Sequence, residues 1–122
     1  MMLCQFSQGL KMKIFRSKYN NKKVRTSEGT FDSIKEYERW CNLKLMQRAG
    51  LITGLARQQK FEVIPKQRYE GKTILPAYYI ADFVYQRNGK MVVEDCKGFK
   101  TDVYKLKKKL MLLRYGVMIE ET

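Results

Sequence analysis

The chain has 122 residues, enough for one domain with its own hydrophobic core and too few for two. It carries 25 Lys and Arg against 12 Asp and Glu, with no His, for a formal charge of +13. That balance points to a polyanionic partner, most simply nucleic acid, with an anionic membrane surface as the rival. The lack of His excludes Ser-His and Cys-His catalysis and His-based metal sites, and no apolar run approaches the roughly 20 residues needed to span a bilayer.

Cys4, Cys41 and Cys96 are odd in number, far apart and form no CxxC pair. They read as free thiols in a reducing compartment, not as a disulfide framework or zinc site. Residues 1–11 show no basic region and no small-residue cleavage site, so they do not read as a secretory signal. They are expected to be loosely attached or to lie upstream of a natural start at Met12. The domain reading is a loose segment over 1–17 and one domain over 18–122.

Residues 16–25 are basic, with Lys18, Lys22, Lys23 and Arg25 interleaved with Tyr19 and two Asn. An extended arm or hairpin turning at Ser27, Glu28 and Gly29 is expected, either as a solvated loop or as a contact to a nucleic-acid backbone. Asp32-Ser33 then opens a helix. Ser33 and Glu36 have capping-box spacing, so Glu36 has a complete structural role as a cap. Ile34, Tyr37, Cys41 and Leu45 recur at helical spacing and are expected to face the core, Trp40 to pack beside them, and Gly50 to end the helix.

Residues 51–64 read as one strand, bent near Gly54, with Leu55, Arg57, Gln59, Phe61 and Val63 on one side. Pro65 ends it, and a turn is expected at Glu70, Gly71 and Lys72. Next come two apolar strands, 78–85 and 91–97, joined by Asn88-Gly89, the preferred pair for a two-residue type I′ hairpin. That loop makes the numbers of facing residues sum to 177, so Asp82 faces Asp95. Alternation puts Ile80, Asp82 and Val84 on one face with Val93, Asp95 and Lys97, and turns Glu94 and Cys96 to the other.

Facing carboxylates lie about 5 Å apart and repel by about 3 kcal/mol at an effective dielectric near 20. A divalent cation between them reverses the sign, and an oxygen-only donor set favours Mg²⁺ or Mn²⁺. With Lys97 on the same face, the set suits metal-assisted phosphodiester hydrolysis. The plain alternative is a solvated strand face with a salt bridge from Lys97 to an acid. The pairing selects Asp95 over Glu94, so Glu94→Ala is expected to keep activity and Asp95→Ala to lose it. Beyond Gly98, Thr101 or Asp102 caps a second helix with an apolar stripe at Val103, Leu106, Leu110 and Leu113 and a dense set of lysines. Gly116 stops it. Residues 117–120 read as a last strand, parallel to the third after a right-handed crossover.

The order αβββαβ, an α/β (α+β) mixed sheet flanked by helices, resembles the restriction-endonuclease-like core of the PD-(D/E)xK nuclease superfamily. The matching residues are Glu36 on the first helix, Asp82 on the second strand and Asp95-Cys96-Lys97 on the third. More narrowly, the chain resembles a small family of phage and prophage proteins assigned to that superfamily. That likeness runs from Lys18 to the C-terminus through Lys18-Tyr19-Asn20, Phe31-Asp32-Ser33-Ile34-Lys35-Glu36, Gln59-Lys60-Phe61-Glu62, residues 79–85 and residues 92–100. Ala81 stands where the name-giving proline is found.

The resemblance implies a Mg²⁺-dependent DNA endonuclease of a phage, with Mn²⁺ able to substitute, acting in recombination or DNA processing in the host-cell cytoplasm. It also implies a protein that is not secreted and uses no nucleotide cofactor. Asp82, Asp95 and the Cys96 carbonyl would ligate the metal. Lys97 would orient the attacking water and steady phosphate charge, Glu36 would hold a metal-bound water or second ion, and Gln59 would position Lys97 or a water. Lys18, Lys22, Lys23, Arg25, Lys100, Lys105 and Lys108 are the expected DNA-backbone contacts. A Holliday-junction resolvase would further require a C₂ homodimer. The competing readings are a non-catalytic nucleic-acid-binding phage protein that keeps the fold, and a phage protein that binds a host protein.

Overall fold

The computed structural model describes residues 13–16, 22–96 and 98–122. Expectations for residues 1–11, for Lys18 and for Lys97 therefore lie outside the described residues. The elements run β1 (Lys13–Arg16), β2 (Lys22–Thr26), β3 (Gly29–Phe31), α1 (Ile34–Arg48), β4 (Thr53–Ile64), β5 (Gln67–Tyr69), β6 (Lys72–Ile74), β7 (Ala77–Arg87), β8 (Lys90–Asp95), α2 (Asp102–Tyr115) and β9 (Glu120–Glu121). The fold is mixed α+β. The chain divides at Leu51 and Ile52 into two units, each with its own core.

In the first unit, β1, β2 and β3 form an antiparallel sheet that turns at Ser27 and Glu28, where the sequence places the turn. Helix α1 begins at its N-cap Ser33, whose side chain accepts from Glu36 N. Glu36 Oε1 accepts from the backbone N–H of Asp32, one residue before the cap, so the capping box closes one step early. Tyr37 and Cys41 are buried with Val24 and Phe31, as their spacing predicts. Leu43 is fully buried where Leu45 was expected, and Glu36 joins the buried residues. Trp40 packs 6.4 Å from Phe31 and donates to Glu28 Oε1.

In the second unit the sheet order is β4-β7-β8-β9, with β4, β7 and β8 antiparallel and β9 parallel to β8. The Asn88-Gly89 loop has φ of 55° and 76°, as a type I′ turn demands. Arg87 pairs with Lys90, Val84 with Val93 and Phe83 with Glu94, the register predicted from the loop. The β4 strand is irregular between Thr53 and Ala56, where Gly54 has φ 66°. The β5–β6 pair closes on Glu70 and Gly71, with φ of 49° and 76°. Sequence reading gave that turn without its strands, because two exposed strands of three residues each are too short to carry an alternation signal.

Two expectations change. The last strand is Glu120–Glu121, three residues later than predicted, because Ile119 drops into the core and ends the irregular segment. Helix α2 is also rotated by about one residue. Tyr104 and Met111 are buried; of the predicted stripe Leu110 packs on the core, whereas Val103, Leu106 and Leu113 face solvent, with Val103 61% and Leu113 82% exposed. The core on this side is built by Phe61, Val63, Tyr79, Ala81 and Val93. Tyr104 meets it with a ring that also carries a hydroxyl to a polar edge, which a leucine cannot do.

Candidate acid site and lysine cavity

Strand alternation in β7 changes phase at Asp82. Tyr79 and Ala81 share one core with Val84 and Val93, although strict alternation would set 79 and 81 opposite 84. The β4–β7 ladder passes from Arg57 opposite Phe83 to Gln59 opposite Ala81. Between them Gln58 takes φ 52°, a left-handed conformation uncommon for a side-chain-bearing residue. This is a correction to the expectation that Ile80, Asp82 and Val84 line one face: Val84 is buried while Ile80 is 50% exposed.

The kink brings Tyr79 and Asp95 together. Extending the β7–β8 register one step beyond Phe83 and Glu94 sets Asp82 beside Asp95. Asp95 is 0% exposed, and Tyr79 Oη donates to its Oδ2 at 2.5 Å. Asp82 is half-buried. Its Oδ2 accepts from the backbone N–H of Cys96 at 2.8 Å, and Gln58 Nε2 lies 3.5 Å from its Oδ1. Burial pushes the Tyr79 phenol far above its ordinary value, and its bond to Asp95 pushes the same way, so it acts as a neutral donor.

Glu94 faces the other side of β8. It is fully buried and accepts from Tyr85 Oη. Glu94→Ala is therefore expected to cost stability, since it empties a buried site and strands a hydroxyl. Gln59 is exposed opposite Ala81, and the neighbouring Gln58 is the glutamine that reaches Asp82. Glu36 is a buried cap of the first unit. Lys23 and Arg25 lie on β2, where Lys23 Nζ bonds Asp32 Oδ1 at 3.2 Å.

At the other edge of β8, Asp95 pairs with Glu121 of β9, and Thr122 N donates to the Asp95 carbonyl at 3.0 Å. Glu121 Oε2 accepts from Tyr104 Oη at 2.7 Å and from Lys108 Nζ at 3.2 Å. The Tyr104 bond, then Lys108 and Lys100, hold the Glu121 carboxyl below its usual range. Burial and the bond to Glu121 drive the Tyr104 phenol far upward. Glu121 also lines a cavity of about 440 Å³ with Lys100, Lys105, Lys108 and Lys109. Three of these lysines were backbone-contact candidates from sequence, and the fold brings them together. Tyr79, Tyr104 and Glu121 were missed. Tyr79 lies in an apolar strand run and Tyr104 off the expected stripe of α2, and nothing local marks Glu121.

Asp82 and Asp95 have the chemistry for a hard divalent cation: they are neighbours on paired strands, Asp95 is buried and Asp82 half-buried, and both offer only oxygen. Among the described residues there is no group of three or more His, Cys, Asp or Glu that could hold a metal. Also among the described residues, no helix is long and apolar enough to cross a membrane.

A family model described as "Protein of unknown function (DUF1064)" matches residues 16–120. Neither the curated proteins nor the solved structures compared with the chain match it.

Proposed function

The chain belongs to the family of proteins of unknown function DUF1064, and we propose that it is a Mg²⁺-dependent DNA endonuclease of phage or prophage origin. The supporting observation is the pair of buried Asp95 and half-buried Asp82, set side by side at the end of a fixed hairpin register on a chain of charge +13. A fully buried carboxylate beside a half-buried one is costly unless something positive joins them.

Asp82 and Asp95 hold the cation in this reading, with the Cys96 carbonyl as a further oxygen. When bound, Mg²⁺ supplies charge stabilisation at the phosphate and a more acidic water. Tyr79 fixes the rotamer of Asp95, and the Cys96 N–H fixes that of Asp82. Lys97, by the resemblance, orients the water and steadies phosphate charge. The lysines around Glu121 draw in the DNA backbone.

The deciding experiment is cleavage of a supercoiled plasmid and a four-way junction in Mg²⁺, Mn²⁺ or EDTA, with the native protein beside Asp82→Ala. Metal-dependent cutting that disappears in the variant is expected. Binding of both substrates without cutting by the native protein would overturn the catalytic reading and leave a nucleic-acid-binding module.

A further inference from the structure

The lysine cavity beside β9 differs from a surface built only to meet a duplex. Its wall includes Leu112 and Met118 with the ring of Tyr104, and Met118 is 58% exposed. A duplex presents phosphates outward and keeps its bases stacked inside, so it has nothing apolar to offer that wall. An unpaired nucleotide offers both a phosphate and a base face. The cavity volume of about 440 Å³ lies in the range of small-ligand sites. Phe99, which directly precedes Lys100 of the wall, is 80% exposed, although a large aromatic ring gains by leaving water. An exposed aromatic beside clustered lysines is the pairing used to hold single strands.

We propose that this cavity holds an unpaired nucleotide of single-stranded DNA, with Lys100, Lys105, Lys108 and Lys109 on the phosphates and Phe99, Leu112 and Met118 on the base. Glu121 joins the cavity wall to Asp95 across the β8–β9 register, so a strand seated there runs beside the acid pair. The substrate class is DNA with an unpaired segment: a flap, gap, bubble or branch. The inference rests on the nucleic-acid reading above but not on cleavage.

The test is fluorescence anisotropy in EDTA with the native protein and three probes: a short oligothymidylate, an abasic strand of equal length and charge, and a duplex of equal length. The oligothymidylate is expected to bind about tenfold more tightly than either of the others, the scale of one stacked base. Phe99→Ala with Met118→Ser should bring it to the abasic level without changing the salt slope. Both positions are exposed, so the fold has little reason to suffer. Lys105→Glu with Lys109→Glu should weaken all three probes and flatten the slope. Equal affinity for abasic and base-bearing strands, or tighter duplex binding, overturns the proposal. Displacement of the strand by polyglutamate at equal charge does not support a nucleotide site and overturns it in favour of an acidic-protein surface. Cleavage in Mg²⁺ is scored separately, so loss of either reading leaves the other standing.

Discussion

The backbone N–H of Cys96 donates to Asp82 Oδ2 at 2.8 Å, so the acid of β7 is held by the residue just past the acid of β8. The bond needs an acceptor and not a charge. Asp82→Asn can keep it by presenting its amide oxygen, whereas Asp82→Ala leaves the Cys96 N–H without that acceptor. We expect Asp82→Asn to melt within a few degrees of the native protein and to lose at least about 100-fold in metal-dependent cleavage, above the range for groups that only orient a ligand. Calorimetric Mn²⁺ titration of the same variant should show the matching loss of affinity. Retained Mn²⁺ binding would remove Asp82 from the metal site.

Tyr79 serves Asp95 in the same way, but from side chain to side chain. Tyr79→Phe keeps the ring in the core and deletes only the donor to a buried carboxylate. The expected cost is about 1–3 kcal/mol of stability, with metal affinity falling about 10- to 100-fold. A variant with the stability loss but native Mn²⁺ affinity would make Tyr79 purely structural.

The two phenols also set a pH dependence. Tyr79 and Tyr104 are both held above their ordinary value in the fold, so the folded protein keeps protons that the unfolded chain gives up. Their stabilisation is complete below about pH 10 and is lost as pH rises beyond it, by about 1.4 kcal/mol per unit for each group. Urea unfolding at pH 9 and pH 11 should show the fall, and Tyr79→Phe should remove about half of the slope. A flat profile would place both hydroxyls in water.

The hairpin register offers a sharper test than loss of activity alone. Asp95 and Glu94 are adjacent and both fully buried, yet Asp95 meets Tyr79 and Glu94 meets Tyr85 on opposite faces. Both Asp95→Asn and Glu94→Gln preserve shape. Glu94→Gln should lose stability with little change in Mn²⁺ affinity, and Asp95→Asn should lose the metal. The reverse pattern would move the metal to the other face of β8.

What sequence could reveal here depended on how local the cause was. The β7–β8 register was readable because two positive-φ residues in a two-residue loop leave one pairing. The caps at Ser33, Thr101 and Gly116 were readable because their hydrogen bonds close within four residues. The phase change at Asp82 was hidden because it rests on Gln58, a residue with no intrinsic preference for φ 52°. The face of α2 was misread because Val103, Leu106 and Leu113 look like a core stripe, whereas Tyr104 is drawn inward by Tyr79 and Glu121, both distant in sequence.

Glu36 needs a pair of substitutions, because its cap explains its burial completely. Glu36→Gln can still accept from the Asp32 N–H, whereas Glu36→Ala cannot and should cost about 1 kcal/mol. If Glu36 only caps, cleavage by Glu36→Gln should match the native rate. A large fall in cleavage with an unchanged melting temperature would give it the catalytic role that the resemblance implies.

Glu121 opposes the cavity it lines. It draws on Lys108 at 3.2 Å and Lys100 at 3.9 Å, two of the lysines that face an incoming phosphate. Glu121→Gln keeps an acceptor for Tyr104 but removes the charge that competes for those ammonium groups. Single-strand affinity in EDTA should rise severalfold, on the order of the 1 kcal/mol upper end for an exposed ion pair, and the gain should shrink as salt is added. Stability should fall only slightly at neutral pH. Because the Glu121 carboxyl is held below its usual range in the fold, its contribution is present above about pH 4.5 and is lost as pH falls through the depressed value. The native and Gln proteins should therefore converge in stability in acid. Unchanged or weaker single-strand binding by Glu121→Gln would mean that Lys100 and Lys108 serve the carboxylate and not a ligand.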